Sequence, residues 1–204
     1  MIRRATISDV RNCSELTLMA GKNEFRYFFP LGDKTILRLL EWFYNCKKVI
    51  FSKENFWVEE HNNTIRGAML CVSGKVKKTM ENSIGKLLSG ITKITGIKGL
   101  LSIAGRGFLS RSFPKIAHNE FYINSISVYP QHRGQKVASA LLEKAMDIAG
   151  EMHLRRLSLV VEIDNYTAIE VYKKRGFTID KTIKFDQKYH KKNLFGFHKM
   201  ILDI

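Results

Sequence analysis

The chain has 204 residues, 45% hydrophobic and 26% charged, which are proportions of a core-forming globular chain and exclude a largely disordered one. Its 34 basic and 19 acidic side chains give +15 at neutral pH, and its length fits one large domain or two small ones. Cys13, Cys46 and Cys71 form no CxxC pair and the histidines show no ligand spacing, so neither a disulfide framework nor a metal site is expected. A reducing, cytoplasmic setting fits. The first residues lack the apolar core of a signal peptide, and no uncharged apolar stretch approaches the ~18 residues of a membrane span.

Residues 1–6 read as a short strand. Ser8 offers a helix N-cap and Asp9 places negative charge on the first turn of a helix to about Ala20. Asp33 opens a second helix, whose Ile36, Leu39, Leu40, Phe43 and Tyr44 recur at three and four residues as one buried stripe. Residues 55–61 and 64–72 read as strands joined by Asn62-Asn63, a pair that tolerates the positive φ of a tight hairpin.

Residues 74–118 differ in character. They hold nine basic side chains and one acidic one, with six glycines from Gly85 to Gly107. Residues 80–113 read as one or two amphipathic helices. Ile84, Leu87, Leu88, Ile91 and Ile94 form a stripe that Ile97, Leu101, Ala104 and Phe108 continue after a break. The segment reads as an insertion within a single domain spanning 1–204. Three roles compete for it: a cover buried on the domain or on a second copy in a homodimer, a lid on an acceptor pocket, or an interfacial helix making weak contact with an anionic membrane. Nucleic acid fits less well, because only Phe108 and Phe113 are interleaved with its basic residues.

Residues 121–129 form a clear strand, ended by Pro130. A strong helix follows over 134–150, then a buried strand over 157–163, a helix over 165–174 closed by Gly176, and strands over 177–184 and 197–202. Mixed order of this kind indicates an α/β layer fold.

The passage from strand to helix at Val128–Leu142 carries chemistry. A short Arg/Gly turn opening directly into a helix presents unpaired N–H groups at the positive end of the helix dipole, a ready site for a phosphate. Gly134 lets the backbone bend, Ala138 is small, and Arg133 and Lys136 add charge. Alone, this could be an ordinary strand-to-helix turn.

A second segment follows, with Asn165, Ala168, Tyr172, Gly176 and Phe177 at fixed offsets. Together the two resemble the core of the GNAT superfamily of acyl-CoA-dependent N-acyltransferases. The first matches V-x-P-x-x-R-G-x-G-x-G/A-x-x-L-L through Val128, Pro130, Arg133, Gly134, Ala138, Leu141 and Leu142. The second matches N-x-x-A-x-x-x-Y-x-x-x-G-F. Residues 2–6 with Asp9, and Gly67 in the third strand, also resemble how such proteins begin. One departure stands out: the pattern has Gly where this chain has Lys136, a site expected in or beside the first helical turn, where a side chain is accommodated.

The resemblance implies an α/β (mixed α+β) GNAT fold: a mostly antiparallel, splayed central sheet flanked by helices in three layers. It implies N-acetyltransfer from acetyl-CoA to a primary amine by direct attack. The backbone of Ile126 and Val128 would hold the pantetheine arm, with Val128 N–H stabilising the oxyanion. N–H groups of Arg133, Gly134, Gln135, Lys136, Val137, Ala138 and Ser139 would hold the pyrophosphate, and Asn165 would contact the arm from the other side. Tyr172 would protonate the departing thiolate. Glu162, with Glu120 as the other choice, would serve as general base. Cys71 reads as a small buried residue, since direct transfer needs no nucleophilic side chain. The alternative is a non-catalytic module that uses the basic insertion to bind a membrane or nucleic acid, with Lys136 marking a decayed cofactor turn.

Overall fold

A computed structural model describes residues 1–81, 84–104, 106 and 114–204. The part of the basic insertion over 107–113, with Phe108 and Phe113, lies outside the described residues. Seven strands form one sheet: β1 (Ile2–Arg4), β2 (Phe56–His61), β3 (Thr64–Ser73), β4 (Glu120–Val128), β5 (Arg156–Glu162), β6 (Thr178–Lys184) and β7 (Gly196–Asp203). Their spatial order is β1-β2-β3-β4-β5-β7-β6. Every neighbouring pair is antiparallel except β4 and β5. The expected mixed, mostly antiparallel layer fold is present.

Among the described residues eight α-helices accompany the sheet: α1 (Val10–Ala20), α2 (Lys22–Phe28), α3 (Asp33–Tyr44), α4 (Gly74–Glu81), α5 (Ile84–Ala104), α6 (Val137–Glu151), α7 (Tyr166–Lys174) and α8 (Gln187–His190). None of the described helices is long and apolar enough to cross a membrane. Strand periodicity divides the core between the two faces. On β3, Met69 and Cys71 pack under α6 with Leu141, Leu142 and Ala145, while Ala68 and Leu70 pack under α1 with Cys13 and Leu16. Covered on both sides, β3 is an unbroken buried run from Gly67 to Ser73.

Local signals act much as expected, with instructive exceptions. Asn62 and Asn63 turn the β2–β3 hairpin at φ +47° and +58°. The first helical turn is capped by Thr6 rather than Ser8: Asp9 accepts from Thr6 N–H at 2.7 Å and from its hydroxyl at 2.9 Å. Helix α2 was not expected; at seven residues it is too short for periodicity to reveal it. The insertion docks on α3, with Ile91 buried beside Leu39 and Phe43. Gly90 lies flat against Trp42, where an added Cβ would sit 2.4 Å from the indole. Past a kink at Gly96 (φ +67°, ψ −175°), the buried face is not the expected one. Leu100 and Ile103 pack inward, while Ile97 and Leu101 stand exposed. A non-helical residue rotates everything after it, so the stripe expected to resume after a break does so on a different face.

Candidate active site

β4 and β5 pair only from Glu120 opposite Arg156 to Ile123 opposite Leu159, and beyond that they part. The cause lies in β4. Leu70 faces Ser125 while Cys71 faces Ile123, so Asn124 is an extra residue, a bulge that sharpens twist and bends the strand away. The bulge also shifts the pleat. Phe121 and Ile123 pack under α6 before it, and Ile126 and Val128 do so after it.

The gap exposes backbone. Tyr129 N–H donates to the Arg66 carbonyl across the β3 side at 3.0 Å. Because alternate residues direct their backbone groups to opposite edges, the N–H groups of Ile126 and Val128 face the open side. Arg133 Nε donates to the Val128 carbonyl on that side at 3.4 Å. Gly67 lies opposite Val128, and a Cβ there would come within 2.9 Å of both the Ser127 carbonyl oxygen and a Val137 methyl. The absent side chain lets β3 and the end of β4 close beneath the start of α6.

The turn into α6 is left-handed twice, at Gly134 (φ +77°) and Lys136 (φ +60°). The N–H groups of Val137, Ala138 and Ser139 have no acceptor within their own helix and point out of its N-terminus. Here one expectation is corrected. Lys136 is not in a helical turn that suits any side chain; it caps α6 in the conformation that favours glycine. The glycine of the resembled pattern is what this backbone asks for.

A cleft of about 640 Å³ runs between β4, this turn and α7. Of the residues expected to hold the cosubstrate, Ile126, Val128, Arg133, Gly134, Lys136, Val137, Ala138, Ser139 and Asn165 all line it. Gln135 does not; its amide donates to the Gln131 carbonyl at 3.3 Å and accepts from Arg66 at 3.1 Å. Asn165 Oδ1 caps α7 through Ala168 N–H at 3.2 Å, which leaves its amide NH2 as the group free to donate into the cleft. Met19 and Ala20 of α1 and Thr167 and Val171 of α7 line it too, contributions that no motif announced.

A smaller cleft of about 270 Å³ opens between α1, α2 and the parted strands, and it shares Ala20, Ile126 and Tyr172 with the larger one. Tyr172 thus stands at the junction. Burial pushes its phenol up to about 12, so it keeps its proton at neutral pH. Glu162 lines the smaller cleft and accepts from Asn23 Nδ2 at 3.4 Å. Burial, with the charge of Asp164, raises its pKa. Beside it sits Glu24 of α2, pushed up to about 8 by burial and then by the charge of Glu162. Sequence reasoning missed Glu24. Its one local signal is a carboxylate set among Phe25, Tyr27, Phe28 and Phe29, and its partner lies far along the chain.

Glu120 is not near this junction. It stands at the other end of β4, buried, and bonded to Lys199 Nζ at 2.8 Å. Its role is that of an ion-pair partner. Cys71 is buried, and desolvation pushes its thiol up to about 12, so it stays an uncharged packing residue. Among the described residues no His/Cys/Asp/Glu group could hold a metal ion.

The model of the acetyltransferase (GNAT) family matches residues 22–177. The chain belongs to this family. Family membership does not favour the non-catalytic alternative. The chain matches less than half the length of the curated relatives it resembles. A putative [ribosomal protein bS18]-alanine N-acetyltransferase of Bacillus subtilis is 36% identical over 61 residues, 30% of this chain and 40% of that relative. Among solved structures, an N-acetyltransferase from Staphylococcus aureus Mu50 superposes with a TM-score of 0.69 at 22% identity, covering 99% of this chain and 100% of that one. A Mycobacterium tuberculosis protein, Rv2747, solved with CoA and NLQ, superposes with a TM-score of 0.52 at 14% identity, covering 100% and 99%. These structural likenesses establish the GNAT fold.

Proposed function

We propose that this GNAT protein moves the acetyl group of acetyl-CoA to a primary amine by direct attack, with both substrates bound at once. The observation that carries the reading is the junction. Two clefts, one lined by the left-handed basic turn and one by carboxyl groups, meet at Ile126 and Tyr172. The larger cleft suits acetyl-CoA: unpaired N–H groups from Val137 to Ser139, with Arg133 and Lys136 beside them, fit a pyrophosphate. The open edge of β4 suits the amide-bearing arm, as an added strand would. Val128 N–H polarises the thioester carbonyl and holds the oxyanion. Glu162 takes a proton from the incoming ammonium. Tyr172, protonated at neutral pH, supplies one to the leaving thiolate. The setting is cytoplasmic. A second copy of the chain, or weakly an anionic membrane, would meet α5 at its exposed Leu88, Ile97 and Leu101.

Thiol release from acetyl-CoA over a panel of amines tests this. Turnover with at least one primary amine is expected, and Tyr172→Phe should lower kcat by about a hundredfold. No turnover with any amine, or a Tyr172→Phe protein as fast as wild type across pH, would overturn the respective assignment.

A further inference from the structure

We propose that the smaller cleft accepts a small primary amine carried on a compact apolar body, and that Glu24 acts with Glu162 to hold its ammonium. This deepens the acetyl-transfer reading and rests on it.

Charge is the first argument. The chain carries +15, yet among the described residues no lysine, arginine or histidine lines this cleft. Its ionisable members are Glu24, Glu162, Tyr122 and Tyr172, with Asp164 acting on both glutamates from nearby. A cation is what such a site attracts.

The second argument is an unmet need. Oε2 of Glu24 is buried and has no hydrogen-bond partner. The hydrogen-bonding groups that reach the Glu24 carboxyl are its own backbone N–H and the Glu162 carboxyl, and neither meets Oε2. A buried acceptor left without a donor is costly. An ammonium brings three donors and a compensating charge.

The walls are the third argument. Phe25, Phe28, Phe29, Phe51 and Tyr122 line the cleft together with the carboxyl pair. Their faces favour an apolar body and attract a cation. Thr17, Asn124 and Ser125 add neutral polar groups, but among the described residues no cation lines the cleft to pair with an acceptor's own carboxylate. At about 270 Å³ the space suits a small ligand.

The chemistry balances. The ammonium gives one proton to the carboxylate pair, and the freed lone pair attacks the thioester carbon. The C–N bond forms and the C–S bond breaks. The thiolate takes the Tyr172 proton, and the surplus proton on the new amide nitrogen restores it. One proton leaves the pair for solvent in each turnover. Burial and the charge of Glu162 favour a proton held on Glu24, which weakens the negative charge that the pair presents. Rising pH removes that proton, so KM for the amine falls through the alkaline range.

The test compares 2-phenylethylamine, L-phenylalanine, putrescine and an alanine-initiated tetrapeptide by thiol release, with acetyl-CoA and amine binding followed by calorimetry. 2-Phenylethylamine should lead in kcat/KM by at least about tenfold. Glu24→Gln and Glu162→Gln should each raise its KM at least about tenfold, and Glu24→Gln should flatten the alkaline fall in KM. Unchanged acetyl-CoA affinity in both variants shows that they are folded. A preference for the peptide, putrescine or L-phenylalanine, or an unchanged KM in Glu24→Gln, overturns the proposal. Failure of wild type to bind acetyl-CoA would instead sink the acetyl-transfer reading, and 2-phenylethylamine binding, lost in Glu24→Gln or not, would still decide for or against this cleft.

Discussion

Lys136 holds a left-handed backbone where a Cβ costs roughly 1–2 kcal/mol, and its neighbour Gly134 takes the same conformation with no such cost. Lys136→Gly should therefore raise stability. The strain relieved exceeds the roughly 0.4–1 kcal/mol of extra unfolded-chain entropy that glycine brings. A gain of about 0.5–1 kcal/mol, read from urea unfolding, is the expected result. A loss would mean that the lysine side chain contributes contacts worth more than the strain. The same scale separates the carboxylates. Glu120 and Glu162 look alike in sequence, each on a strand next to the gap. One is neutralised by Lys199 and the other faces a cleft with no cation in its lining. Only the neighbours supplied by distant segments tell them apart.

Among the elements, β4 does most to create the site, and it does so through features of very different visibility. Gly67 on β3 gives the end of β4 room to close under α6. Gly67→Ala should push Ser127 and Val137 apart, cost about 1–3 kcal/mol as an overpacked core position, and weaken acetyl-CoA binding, measured by thermal unfolding and calorimetry. The Arg133-Gly134 turn and the Asn165-to-Phe177 spacing were legible because they answer local backbone demands: a positive φ, a helix cap, a close approach. The bulge at Asn124 was not legible, since it exists only as a mismatch against β3. A break within α5 was legible in its glycines, but the face taken after Gly96 was not, because it depends on the dihedral angles of the kink itself. Helix α2 and its Glu24 were hidden for both reasons, shortness and a partner on β5.

For the whole molecule, the positive charge and the clefts divide the work. On the proposed reading, polyanionic acetyl-CoA would meet a chain of +15, while the acceptor would enter a carboxyl-lined space inside that positive field. Acetyl-CoA at a hundredfold excess over its dissociation constant should stabilise the folded state by ~2.7 kcal/mol, seen as a rise in Tm. No rise would remove the cosubstrate from the account. The insertion takes part in this architecture: Arg106 donates to the Tyr27 carbonyl at 2.8 Å and so ties the basic segment to the helix that bears Glu24.

β7 follows β6 in the chain yet lies between β6 and β5. β6 and β7 pair as chain neighbours, but until β7 slots in β5 has one bare hydrogen-bonding edge that waits on distant contacts such as Arg156 with Asp203. Long-range closure of this kind slows folding, and a bare strand edge is a template for misplaced pairing. The strand that carries Glu162 gains its second edge partner only from that final ribbon, and on the proposed reading activity should return during refolding no sooner than this pairing.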